Sequence, residues 1–275
     1  MIPTLVRRAA AFLAGLALAL PAAAGTYSTD YTDLWWNPNE SGWGVNVIQQ
    51  HDTIFATLFV YGADGAPNWF VASTVQPTSA GNQTTFIGTL FKTNGPFYGA
   101  TSFDPAAVKA YVVGTISFTF TSDTTGTLQY VVNGTLVTKS IVRQTWKVNQ
   151  LAGNYFGGLT ASGTNCGNGV TNGNVLIVGP MVVQHTGGQS DTTQVTMNVQ
   201  FVSSNQNQQC TFTGPYTQSG QLGSITGNWG CTTNNQGSFT LTSIQANVNG
   251  LTGRFHGSDQ YCTYDGYFGG PRDVQ

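Results

Sequence analysis

From Thr115 to Thr121 the chain alternates residue by residue. Ile116, Phe118 and Phe120 fall on one side, and Thr115, Ser117, Thr119 and Thr121 on the other. Gln194 to Phe201 repeats the pattern, with Val195, Met197, Val199 and Phe201 set against Thr196, Asn198 and Gln200. A period of two belongs to a strand with one face in a core and one in water, and a helix cannot bury it.

Turn signals separate such runs throughout. His51-Asp52, Asp64-Gly65, Gly95-Pro96, Asp123 to Gly126 and Asn133-Gly134 divide the first half. Asp104 before Pro105 predicts one capped helical turn. Each half holds about eight short strands, which predicts an all-β chain of two tandem small antiparallel barrels, each an up-and-down meander. The short boundary at Asn149 to Ala152 divides domain 25–148 from domain 149–275.

Residues 1–24 read as a secretory signal peptide. Arg7 and Arg8 precede the apolar run Ala9 to Leu20, and Ala22-Ala23-Ala24 gives the small-residue cleavage site. The expected home is therefore periplasmic or extracellular. No later run is apolar and long enough for a transmembrane helix.

Only 7% of residues are charged, and the formal net charge is −2. With so few cations there is no patch to neutralise phosphates, so nucleic acid is excluded as a partner. A membrane-spanning barrel is disfavoured by the cysteines and the Gly/Asn-rich loops. The oligomeric state is left open.

The four cysteines, Cys166, Cys210, Cys231 and Cys262, allow three pairings in an exported protein and match no zinc spacing. Gly220-Gln221 as a two-residue type II′ loop sets Cys210 opposite Cys231 in a non-hydrogen-bonded pair, although Pro215 lies in that path. Cys166 and Cys262 then pair by elimination. They lie near the first and last strands of the second half, which are neighbours in a closed barrel.

Trp35-Trp36-Asn37-Pro38, Glu40-Ser41-Gly42-Trp43-Gly44, then Gly65, Pro67 and Trp69, resemble a family of exported bacterial proteins with a WWNPxESGWG motif. The second half is similar to that family's companion segment through Cys210, Gly214, Tyr216, Gln218, Gly220, Gly227, Cys231, Gly237, Phe239, Gly253-Arg254, Cys262, Gly266, Phe268 and Arg272. The resemblance brings no catalytic residues with it. A looser architectural resemblance is to lipocalin- and avidin-type barrels, where an aromatic near the first strand packs on a basic residue of the last. It implies closing pairs of Trp35 or Trp36 with Arg143, and of Tyr155 with Arg272.

Trp35, Trp36, Asn37, Glu40, Trp43 and Trp69 form the candidate ligand site. Pockets are aromatic-lined with a few polar groups, and Glu40 is the lone glutamate. The bland alternatives are core packing for the tryptophans and, for Glu40, a turn carboxylate paired with an arginine such as Arg143. Trp35 and Trp36, being consecutive, cannot both point inward on a strand. As an acid or nucleophile Glu40 would need a second carboxylate, and only aspartates are available. The histidines His51, His185 and His256 are scattered, Ser41 lacks a nucleophile elbow, and Asp259 and Asp265 lack EF-hand spacing. No catalytic residue, metal site or cofactor is assigned.

The hairpin at Asp64-Gly65, read as a two-residue type I′ loop, pairs Leu58 with Val71, Val60 with Trp69 and Phe59 with Phe70. Both of its faces are apolar. The aromatic side is expected to pack on the second domain, ahead of a partner or a ligand. Three functions follow in order: a non-catalytic binding module for a carbohydrate or another small, partly apolar ligand; an extracellular hydrolase using Glu40 with an aspartate; and a cell-surface structural or interaction protein.

Overall fold

The computed structural model describes residues 29–79, 84–187, 193–203 and 205–273. The signal peptide assigned to residues 1–24 lies outside them. Among these residues, sixteen strands make two closed barrels. The first is β1 Asp33–Trp36, β2 Gly44–Gln50, β3 Thr53–Tyr61, β4 Pro67–Pro77, β5 Thr85–Asn94, β6 Lys109–Phe120, β7 Thr125–Val132 and β8 Thr135–Arg143. The second is β9 Gly153–Thr164, β10 Gly173–Thr186, β11 Thr193–Ser203, β12 Gln206–Ser219, β13 Leu222–Cys231, β14 Gln236–Ala246, β15 Gly250–Asp259 and β16 Thr263–Pro271.

Every strand pairs antiparallel with its sequence neighbour, and the last returns to the first in each barrel. This is the expected pair of meanders. A 3-10 turn at Pro105–Ala107 is capped by the Asp104 carboxylate, which accepts from the Ala106 N–H.

Alternation decides what each barrel holds. Ile116 and Phe118 are fully buried with Trp35, Leu58, Phe86 and Leu128. Val195, Met197 and Val199 are buried with Phe212, Phe239, Phe255 and Phe268. Each such side chain contributes about 1.5–3 kcal/mol on burial. Apolar interiors are the reverse of the polar lumen of a membrane-spanning barrel. Among the described residues no helix is long and apolar enough to cross a membrane.

Both disulfides form as expected, Cys210 with Cys231 and Cys166 with Cys262. Gly220 has φ +59, as a type II′ turn requires, and Ser219 faces Leu222. Pro215 interrupts the pairing without shifting it, since Thr213 faces Asn228 and Tyr216 faces Ile225.

The hairpin after Tyr61 differs from the expected one. Its register pairs Leu58 with Phe70, Phe59 with Trp69 and Val60 with Asn68, one residue from the type I′ alignment. Type I′ needs both central residues at positive φ. Here Gly65 has φ +75 and Asp64 does not share it. The Asp64 carboxylate instead accepts from the Ala66 N–H, while Gly62 donates to the Ala66 carbonyl. The longer loop puts Leu58 and Phe70 inside. Phe59 and Trp69 stay 47% and 51% exposed, so the second domain does not cover them.

Candidate functional site

The Trp-rich stretch is divided among separate surroundings. Trp35 is fully buried, and its Nε1–H donates to the Tyr31 carbonyl at 2.9 Å. The guanidinium of Arg143 sits 5.0 Å from its ring centre. Trp36, the next residue on β1, is half-buried and faces Val142 in register. Trp69 lies on the outer wall. Asn37 shapes the turn: its side chain accepts from the Asn39 N–H and its carbonyl from the Glu40 N–H.

Glu40 pairs with a lysine and not with Arg143. Its Oε2 lies 2.6 Å from Lys139 Nζ and accepts from Trp43 Nε1–H at 3.0 Å. The Lys139 hydrogen bond holds the Glu40 carboxyl below its ordinary range. The Lys139 ammonium also lies 6.0 Å from the Trp43 ring centre. A general acid needs its pKa raised, so this environment opposes that role.

The two barrels close alike. Tyr155 is buried and donates its O–H to the Leu151 carbonyl at 2.6 Å, four residues back, as Trp35 does to Tyr31. Arg272 lies 4.8 Å from the Tyr155 ring centre and donates to the Tyr155 oxygen and the Ala152 carbonyl. Arg143 is more deeply held. It donates to the carbonyls of Asp30, Thr32 and Asp123 and faces the Asp33 carboxylate at 3.2 Å.

The histidines sit apart. His185 Nδ1 accepts from the Leu151 N–H, which leaves the proton on Nε2 against Thr193 Oγ1, and burial lowers its pKa. His256 meets Asp265 on the exposed outer wall. Among the described residues no group of three or more His, Cys, Asp or Glu is placed to hold a metal.

An open cavity of about 330 Å³ lies elsewhere, in the end of the second barrel framed by the two disulfides. Phe212, Trp229, Phe255, Tyr264, Leu159 and Cys231 are among its walls, and Asn174, Ser203 and Asn235 stand at the rim. The rings of Trp229 and Tyr264 stand 6.4 Å apart at 78°, and those of Phe212 and Trp229 6.3 Å apart at 29°. Asp259 joins them by accepting the Tyr264 O–H at 2.9 Å. Burial and this carboxylate push the Tyr264 phenol up to about 12. The buried Trp229 Nε1–H finds no acceptor among the described residues.

The Trp-rich stretch does not contribute to this cavity. Trp229 is the one tryptophan of the second barrel, and that isolation was the only sequence signal for it. Phe212, Trp229, Phe255 and Tyr264 come from β12, β13, β15 and β16, which only barrel closure brings together.

The fold and cavity define a tandem pair of eight-stranded meander barrels, the second open at one end. No protein-family model and no curated protein matches the chain. A solved structure of a "putative outer membrane protein" from Bacteroides fragilis is similar at 16% identity, over 89% of this chain and 97% of that one, with a TM-score of 0.30. Backbones that superpose so loosely carry no argument about fold or function.

Proposed function

We propose that the protein is an exported, non-catalytic binding module that holds a small, partly apolar ligand in the open end of its second barrel. One observation carries this: an open cavity of about 330 Å³ walled by the rings of Phe212, Trp229, Phe255 and Tyr264. Aromatic walls with few polar groups are what small-molecule sites use. Polar groups gather at the rim, which favours a partly apolar molecule over a carbohydrate. Paired cysteines support a periplasmic or extracellular home. Membership of the exported bacterial family with the WWNPxESGWG motif is part of the same proposal.

The test is titration with N-phenyl-1-naphthylamine, a dye that brightens in apolar cavities. Saturable brightening is expected, lost in Val175→Trp, which fills the cavity, and kept in Trp69→Ala. Brightening that survives Val175→Trp and disappears in Trp69→Ala would move the site to the outer wall.

That wall supports a second reading, a surface interaction role. Phe59, Tyr61 and Trp69 are 47%, 60% and 51% exposed side by side. It predicts self-association or partner binding that Phe59→Ser abolishes. A Phe59→Ser chain that sediments and binds like the parent rejects it.

A further inference from the structure

The cavity at the open end of the second barrel contains a carboxylate without a counter-ion among the described residues. Asp259 is half-buried. Its Oδ1 accepts from the Tyr261 and Cys262 N–H groups at 2.7 and 2.8 Å, and its Oδ2 accepts from Tyr264 at 2.9 Å. All three donors are neutral. They fix the carboxylate in place and leave its charge uncompensated.

Nothing in the second barrel supplies the missing charge. From Gly153 to Asp273 the basic residues are Arg254, Arg272, His185 and His256, with no lysine. Arg254 is exposed on the outer wall, and Arg272 lies over Tyr155 at the closed end. His185 is at that closed end with Leu151, and His256 is outside with Asp265. The cavity lining contains no Lys, Arg or His. An anionic ligand would find no cationic side chain there to offset the Asp259 carboxylate.

Beside the carboxylate stand the rings of Trp229, Tyr264, Phe212 and Phe255. Trp229 and Tyr264 are nearly perpendicular, so they present different ring edges and faces to the same space. Aromatic faces attract cations through their quadrupole, and the attraction grows when the site is desolvated. A carboxylate behind such rings adds a monopole of the same sense.

Resting on the binding reading above, we infer that this cavity takes a small organic cation, an alkylated ammonium whose apolar substituents fill the aromatic walls while its charge faces Asp259. The high pKa of Tyr264 agrees with this. The phenol keeps its proton and continues to orient the carboxylate instead of adding a second negative charge.

The test compares three probes of one shape on the mature chain with both disulfides formed: choline, 3,3-dimethylbutan-1-ol and 3,3-dimethylbutanoate. Calorimetry gives affinity, and the indole N–H resonance of Trp229, assigned with Trp229→Phe, gives location. Choline is expected to bind about tenfold or more tighter than the alcohol, and the carboxylate not at all. Asp259→Asn should erase the advantage of choline while N-phenyl-1-naphthylamine still binds. If Asp259→Asn fails to fold, Trp229→Leu removes a ring without touching the loop, and should weaken choline more than the alcohol. Alcohol or carboxylate binding as tight as choline overturns the inference and leaves the binding reading standing. So does a Trp229 signal unmoved by choline while the dye still binds. Failure of dye and choline alike overturns both.

Discussion

The Asp33 carboxylate of the first barrel accepts the backbone N–H of Gln221, at the hairpin tip of the second, at 2.9 Å. The same oxygen faces Arg143 Nη1 at 3.2 Å. The closure of one barrel and the junction with the other are therefore one network. Gly220 completes it, because a Cβ there would collide with Asp33 Oδ2. Thr145 Oγ1 accepts from the Gly220 N–H and donates to the Gln218 carbonyl. The Gln218 side chain accepts from the Asn149 N–H and donates to the Lys147 carbonyl. The segment between the barrels is thus hydrogen-bonded to the second barrel's hairpin.

The two closing arginines should differ in what they contribute. Arg143 is almost fully buried and serves three carbonyls and a carboxylate. Arg143→Ala strands those acceptors and should cost about 3–5 kcal/mol. Arg272 is half-buried and serves one carbonyl and one phenol, so Arg272→Ala should cost about 1–3 kcal/mol. Urea denaturation of the two variants checks the order, and equal losses would contradict it.

Glu40 gives an acid-range prediction. Its folded pKa lies below the ordinary 4.5, first because Lys139 hydrogen-bonds the carboxylate. A depressed carboxyl contributes stability above its unfolded value and loses it as pH falls through the folded one. The contact with Trp43 should therefore persist at pH 4.5 and break only below it. The Trp43 indole N–H resonance should titrate with a midpoint under 4.5, and Glu40→Gln should remove that titration while the barrel stays folded. A midpoint at or above 4.5 would contradict the pairing with Lys139.

The barrels were legible in the sequence because their physics is local. The alternation at Ile116, Phe118 and Phe120 assigns one face to the core wherever the strand ends up. The Gly220 turn fixed its register, and with it the Cys210–Cys231 pair. The Asp64-Gly65 loop departs from a two-residue type I′ turn because a side chain decides it: Asp64 caps the Ala66 N–H and does not adopt positive φ. Concentration in sequence does not amount to a shared surface in the fold. Trp35 and Trp36 point to opposite faces, while Trp229, Phe212 and Tyr264 meet only through closure.

Alkaline titration tests the deeply set phenols. Burial pushes Tyr216 up to about 12, and burial with Asp259 does the same for Tyr264. A phenol whose folded pKa exceeds its ordinary 10.0 favours the fold below that value, and the contribution disappears as pH rises from 10.0 towards about 12. The urea midpoint should therefore fall between pH 10 and pH 12. Absorbance at the phenolate band should show two tyrosines titrating last, and Tyr264→Phe should remove one of them.

The register after Tyr61 can be fixed by cross-linking. Gly62 donates to the Ala66 carbonyl, so positions 62 and 66 form the last hydrogen-bonded pair of the ladder. Pairs then alternate down the hairpin, which makes Phe59 and Trp69 a non-hydrogen-bonded pair, the kind with the closest Cα atoms. Both side chains lie on the outer wall, where cysteines can be oxidised without disturbing the core. Phe59→Cys with Trp69→Cys should form a disulfide on mild oxidation, seen as a mobility shift reversed by reductant. Phe59→Cys with Phe70→Cys should not, because Phe70 points inward opposite Leu58. Cross-linking of the second pair in place of the first would restore the two-residue turn and put Phe59 on the same face as Phe70.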